Sequence, residues 1–430
     1  MPLGSHNLIM EQTYSKFSKS RVIGILLIEM VMTFFFSVGL NEVAPLMTNI
    51  QSQTGWTLGS IGQLMTVVFL LLGVGSFIGS PIVDKFGTKK AAVFALAVTA
   101  VGHFLTVVGG EIYAIHFIGR ILFGCGWGIF FLIPGSVITY VVEPEKRPLW
   151  NGIRCTADIL GSGMAYYLIL PIFRTLNENW QMTIGVFGII FTLILIAYIP
   201  VVKETEEEKQ ILFDKAAQKS GGKSEKGNSG LAKAAKSKQV WLLFLSLLGF
   251  QWVYNCFTTY LPAFFELERG FTAEAASAMT GFASIFGMAA GIIGGTVSTA
   301  LGRRKVLMFP MAVLLTIGSV GCLFVTNRVL LSLLCGCMGF SLTAFMTAYT
   351  TVPSELPGAD VDFYAGSQAI IAGTCFILTF FTPNIYQFIL DQGGTQQTAL
   401  LLNCIPCIVS LIATVFVVET GPKGKLSHNR

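Results

Sequence analysis

Twelve apolar segments alternate along this chain with short polar connections, each about as long as the roughly 20 residues a helix needs to cross a bilayer. They fall at 22–47, 58–83, 91–109, 112–140, 150–172, 180–202, 239–265, 273–299, 305–325, 329–353, 362–388 and 398–418. The segments are too long for barrel strands and show no alternation of apolar and polar residues. Helices are then the remaining way for the backbone to satisfy its own N–H and C=O groups in lipid. Composition agrees: 12% of the 430 residues are charged, against about 25% in an ordinary soluble domain. A soluble enzyme, a nucleic-acid binder and a disordered chain are excluded, and the expected class is an all-α polytopic membrane protein.

The net charge of +5 is explained by its distribution. With the N-terminus inside, 23 of the 28 lysines and arginines fall on the inner side, while Arg174, Arg269 and Arg328 fall outside. Basic connections stay on the cytoplasmic side of a membrane. Both termini are therefore expected in the cytoplasm, and the chain in a plasma (inner) membrane. The first apolar segment is too long for a signal-peptide core and has no small-residue cleavage site, so it reads as a retained anchor. All nine cysteines lie inside apolar segments, where thiols behave as small hydrophobes. Cys404 and Cys407 have the spacing of a redox or metal pair but no partner cluster, so neither a metal nor a cofactor is expected.

Residues 203–238 differ from the rest, being rich in Lys, Glu, Ser and Gly without an apolar block. They read as a solvated linker. The expected organisation is a leader 1–21, a six-helix bundle 22–202, the linker, a second bundle 239–418 and a tail 419–430.

The two bundles echo each other at an offset of about 215 residues, the mark of an internal repeat. Gly55-Trp56-Thr57 matches Gly270-Phe271-Thr272, and Pro45 matches Pro262. The loop Asp84-Lys85-Phe86-Gly87-Thr88-Lys89-Lys90 matches Thr299-Ala300-Leu301-Gly302-Arg303-Arg304-Lys305. Thr139-Tyr140 before Glu143-Pro144-Glu145 is echoed by Val352-Pro353-Ser354-Glu355.

These features together resemble the major facilitator superfamily over nearly the whole chain. Asp84, Lys85, Gly87 and Lys89 match the family's loop motif after span 2, with Ser80 in place of its first glycine. Gly295, Gly302, Arg303 and Arg304 match the second copy, with Thr299 in place of the acid. Arg120, Gly124 and Gly126 match the family's span-4 motif. The resemblance implies two pseudo-symmetric six-helix bundles that alternate access to a midplane site. It implies a conformational latch at Asp84, Lys85, Gly87, Lys89, Gly302, Arg303 and Arg304. The same lysines and arginines also serve simply to fix topology. Span 5 carries Gly161-Ser162-Gly163 with no following proline, a departure from the family's antiporter signature. The segments around Gly249, Tyr260 and Gly270 look most like its cyanate-permease-like branch.

Charges inside a bilayer are costly and therefore informative. Five fall inside the spans more than two residues from a span end: Glu29, Glu42, Arg120, Arg154 and Asp158, all in the first bundle. Glu29, Thr33, Ser37 and Asn41 recur every four residues on span 1, and Arg154, Asp158, Ser162 and Tyr166 do so on span 5, giving each helix one polar stripe. Glu29, Asp158 and Arg120 are the candidate proton-coupling groups; Arg154, with Ser37, Asn41 and Tyr166, is the candidate solute contact. An ion pair between Arg154 and Asp158 that merely holds span 5 is the alternative. His103 and His116 have the intrinsic affinity for a proton switch but also suit helix contacts. The second bundle offers Gln251, Trp252, Tyr254, Asn255 and Gln368, amides and rings suited to a small polar solute. No nucleotide-binding motif or nucleophile constellation appears. The expectation is a secondary transporter, not an enzyme, moving a small polar or anionic metabolite with protons, as a monomer, without nucleic acid. Efflux of drug-like or lipid-like compounds, or uniport without protons, is the alternative.

Overall fold

A computed structural model describes residues 19–424 except 132, 143–145, 203–229 and 360. Most of the expected linker, the leader before residue 19 and the tail after residue 424 lie outside the described residues. Among the described residues, twelve helical spans long and apolar enough to cross a membrane emerge in the expected order. Spans 1 to 6 are Ser20–Thr54, Leu58–Phe77, Thr88–Val108, Tyr113–Gly135, Leu149–Thr175 and Trp180–Val201. Spans 7 to 12 are Lys238–Leu267, Ala273–Leu301, Lys305–Phe324, Arg328–Glu355, Gly366–Asp391 and Gln396–Phe416. The described residues contain no strand.

The repeat in the sequence has a conformational cause. Gly55 and Gly270 both follow a helix end at positive φ (71° and 69°), as do Gly87 and Gly302 (80° and 61°). A side chain at those angles would clash with its own backbone, so both copies keep glycine. Packing repeats as well: spans 2 and 4 pair as do 8 and 10, 3 and 4 as do 9 and 10, 3 and 6 as do 9 and 12. Glycine permits close crossings, Gly75 against Gly128 between spans 2 and 4 and Gly339 against Ala283 between spans 10 and 8. Large apolar side chains such as Leu27, Ile118, Leu193, Val329, Ile408 and Phe416 are exposed on the outside of the bundle. In water that surface would be a liability; in lipid it is the expected facing.

Several spans are broken rather than continuous. Span 1 stops at Asn41 and resumes through a 3-10 turn at Ala44–Leu46, with Pro45 in its first turn. Span 10 breaks before Pro353, span 11 before Pro383 and span 12 before Pro406. Proline lacks the N–H and clashes with the preceding turn, so a new helix begins around it. Span 11 also carries a π turn at Ala369–Gly373.

An even number of spans puts both ends of the described chain on one face, the terminal face. Between the bundles, span 2 packs on span 11 and span 5 on span 8, the two pairings exchanged by the pseudo-symmetry. Polar bridges reinforce them toward the opposite face. Thr48 donates to Glu266 at 2.8 Å, the Gly59 amide to Gln387 at 2.9 Å, and Gln63 to Asn384 at 3.0 Å. Toward the terminal face, open space lies beside Gly152 of span 5 and Gly295 of span 8.

Candidate substrate and proton site

The polar stripes of spans 1 and 5 meet inside the first bundle. Ser37 donates its hydroxyl to the carboxylate of Asp158. Ser37 is fully buried because Gly161 of span 5 lies directly against it, a place where any side chain would collide with the Phe34 carbonyl. Arg154 stands one helical turn before Asp158, within its electrostatic reach, and its Nε is buried without a hydrogen-bond partner. The recess around these groups is lined by Thr33, Phe36, Trp127, Phe130, Phe131 and Pro134. An arginine donor in an aromatic recess suits an acceptor, since burying it unmatched is costly.

The second bundle brings neutral groups near Asp158. Tyr254 of span 7 lies within electrostatic reach of Asp158 and hydrogen-bonds Ser284 of span 8. Ser284 in turn packs on Gly163 of span 5. Asn255 is buried with its amide nitrogen unpartnered. Tyr166 bridges the bundles by donating to the Thr258 carbonyl at 2.8 Å. Its hydroxyl is thus engaged in joining spans 5 and 7.

Other expected residues are placed elsewhere. Glu29 is buried between spans 1 and 6, where Tyr198 donates to it at 3.1 Å. Asn41 donates to the Ser37 carbonyl one turn back, and Gln251 is buried within span 7. Trp252 donates to Asn403 of span 12 at 2.9 Å, and Gln368 to the Thr350 carbonyl of span 10 at 3.2 Å. Both are therefore satisfied inside the second bundle rather than turned to the recess. Arg120 is wholly buried against Glu42, which accepts from it at 2.7 Å.

The latch residues bond within their own bundles. Lys89 donates to the Ile199 carbonyl of span 6 at 3.2 Å. Arg304 grips Glu355 with contacts of 2.6 and 3.1 Å, and Arg303 donates to the Lys423 carbonyl at 3.2 Å. The side chains of Asp84 and Lys85 lie outside the described residues. Sequence reasoning did not find Tyr198, Ser284 or Glu266, because a lone polar residue carries no periodic signal. Among the described residues no cluster of His, Cys, Asp and Glu is arranged to hold a metal.

Comparison with known proteins matches this architecture throughout. The model of the Major Facilitator Superfamily covers residues 26–376. The probable sulfoacetate transporter SauU of Cupriavidus necator is 20% identical over 93% of this chain and 94% of its own. The hexuronate transporter of Bacillus subtilis is 23% identical over 96% of this chain and 99% of its own. Among solved structures, that of a D-xylose-proton symporter superposes with a TM-score of 0.71 at 16% identity, covering 94% of this chain and 99% of that one. A structure of the nucleoside transporter NupG gives 0.71 at 13% identity, covering 91% and 99%. The chain belongs to the major facilitator superfamily: it is an integral membrane secondary transporter of a small molecule, and not an enzyme.

Proposed function

We propose that this transporter carries a small organic anion together with a proton, with Arg154 as the anion contact and Asp158 as the proton carrier. The observation that carries the reading is the unpartnered Arg154 donor beside Asp158 in the recess between spans 1, 4 and 5. A bidentate guanidinium suits a carboxylate or sulfonate. Asp158 can hold the proton because its partners are few: the Ser37 hydroxyl, and Arg154 one turn away. When the anion takes up the Arg154 charge, Asp158 loses its counter-charge, and protonation then becomes the cheaper state. Binding of anion and proton thus favour each other.

The two named relatives, for sulfoacetate and for hexuronate, support an anionic solute. Tyr254 and Asn255 supply neutral donors for a hydroxylated remainder. Glu29 is assigned to holding span 6 through Tyr198 rather than to coupling. The lysine and arginine distribution supports a cytoplasmic terminal face in a plasma membrane, and the self-contained bundle supports a monomer.

The test is uptake by the reconstituted protein of sulfoacetate, glucuronate, xylose and a cationic dye. Uptake of an acid that is lost in Arg154→Ala supports the reading. Uptake of xylose or dye alone, or acid uptake unchanged in Arg154→Ala, overturns it.

A further inference from the structure

The first bundle contains a second group of buried charges, away from the recess and near the opposite face. Glu42 opens the break in span 1, five residues beyond Ser37, and is fully buried. Arg120 uses four of its five N–H donors there. Nη1 reaches Glu42 Oε1 and the Gly39 carbonyl at 2.7 and 2.9 Å, Nε the Leu64 carbonyl at 2.7 Å, and Nη2 the Leu40 carbonyl at 3.4 Å. The guanidinium so closes the carbonyl end of the first helix of span 1 and ties it to span 2.

His103 of span 3 completes the group. Its Nδ1 lies 2.8 Å from the Thr99 carbonyl, which can only accept, so Nδ1 carries a hydrogen. Its Nε2 lies 3.3 Å from Glu42 Oε1 and has no other partner. If the imidazole were neutral and the carboxylate ionised, two lone pairs would face each other in a dry interior. The ring is otherwise enclosed by Phe123 of span 4 and by Phe191 and Gly188 of span 6, which bring no charge. We infer that His103 and Glu42 share one proton beyond the hydrogen on Nδ1, making the pair a proton-binding site distinct from the recess.

The proton sits either on Nε2, as imidazolium beside carboxylate, or on Glu42, as carboxyl beside imidazole. Its loss to water leaves neutral imidazole, carboxylate and Arg120, and the two lone pairs repel. Glu42 leads directly into Ala44–Leu46, which packs on span 7, and on to Thr48, which bonds Glu266. Repulsion at Glu42 therefore loosens the closure of the opposite face. The site makes that closure sensitive to proton concentration whatever solute the recess takes.

The experiment uses the full chain in lipid vesicles. Histidine nitrogen and glutamate carboxyl shifts are read by NMR, with His103→Gln and Glu42→Gln to assign the signals. At pH 7 the pair is expected to show imidazolium with carboxylate, or imidazole with carboxyl. Neutral imidazole beside ionised carboxylate at pH 7 overturns the site. Spin labels on Ser52 and Gln392, exposed on the two bundles at the opposite face, read the consequence, with Cys155→Ser removing an exposed native thiol. Their separation is expected to lengthen as pH rises and strips the proton, and to lose that dependence in Glu42→Gln. A pH-independent separation in the wild-type chain overturns the link to closure.

Discussion

Ser37 on span 1 donates to the carboxylate of Asp158 on span 5, and Gly161 lets the two helices come close enough for the bond to form. A charge held by a single hydroxyl in a recess is poised to change its protonation when its surroundings change. Ser37→Ala removes that donor and leaves the carboxylate less well satisfied, a loss of about 1.5–3 kcal/mol for a hydrogen bond to a charged group. The ionised form is the one destabilised. Proton-driven uptake is therefore expected to persist to higher pH in Ser37→Ala than in the wild type, read as the pH profile of uptake in vesicles.

Closure of the opposite face rests on packing more than on surface charge. Tyr260 of span 7 stacks on Tyr386 of span 11 at 3.8 Å, and its hydroxyl fits against Gly62 of span 2. A methyl group at Gly62 would overlap that hydroxyl, at a cost of about 1–3 kcal/mol for overpacking. Gly62→Ala is expected to shift the population toward opening of the opposite face, measured as distances between labels on Ser52 and Gln392.

Arg174 also bridges the bundles, contacting Glu274 at 3.2 Å as well as Glu178. Both contacts are about half exposed, and such pairs are worth roughly 0–1 kcal/mol, less in salt. Arg174→Ala is expected to move the same label distances less than Gly62→Ala does, and its own effect is expected to vanish in high salt.

The twelve spans were legible because apolar length is a local property, and the polar stripes that carry Ser37 and Asp158 were legible because residues four apart share one helix face. The partners of other polar residues were not, since the rotation of one span against another is set by packing from distant segments. So Trp252 and Gln368, expected at the solute, bond Asn403 and Thr350 instead. Glu29 shares a stripe with Ser37 yet ends against Tyr198. Prolines were equally ambiguous: Pro171, Pro262 and Pro310 sit inside continuous helices, while Pro45, Pro383 and Pro406 start new ones. Tertiary contacts decide which freed carbonyls find another donor, as Arg120 does for Gly39 and Leu40.

The assignment of Glu29 to structure has its own consequence. Tyr198→Phe removes the hydrogen bond to a buried carboxylate, which costs about 1–3 kcal/mol. The variant is expected to unfold at lower temperature while keeping pH-driven uptake. Glu29→Gln, whose amide oxygen still accepts from Tyr198, is expected to keep both.

The most direct test of the coupling is Asp158→Asn in vesicles loaded with an acid the wild type transports. Asparagine keeps the size of the side chain and removes its titration. The variant is expected to exchange labelled for unlabelled acid across the membrane yet fail to accumulate it against a gradient when an inward proton gradient is imposed. Accumulation at the wild-type level by Asp158→Asn would contradict Asp158 as the proton carrier.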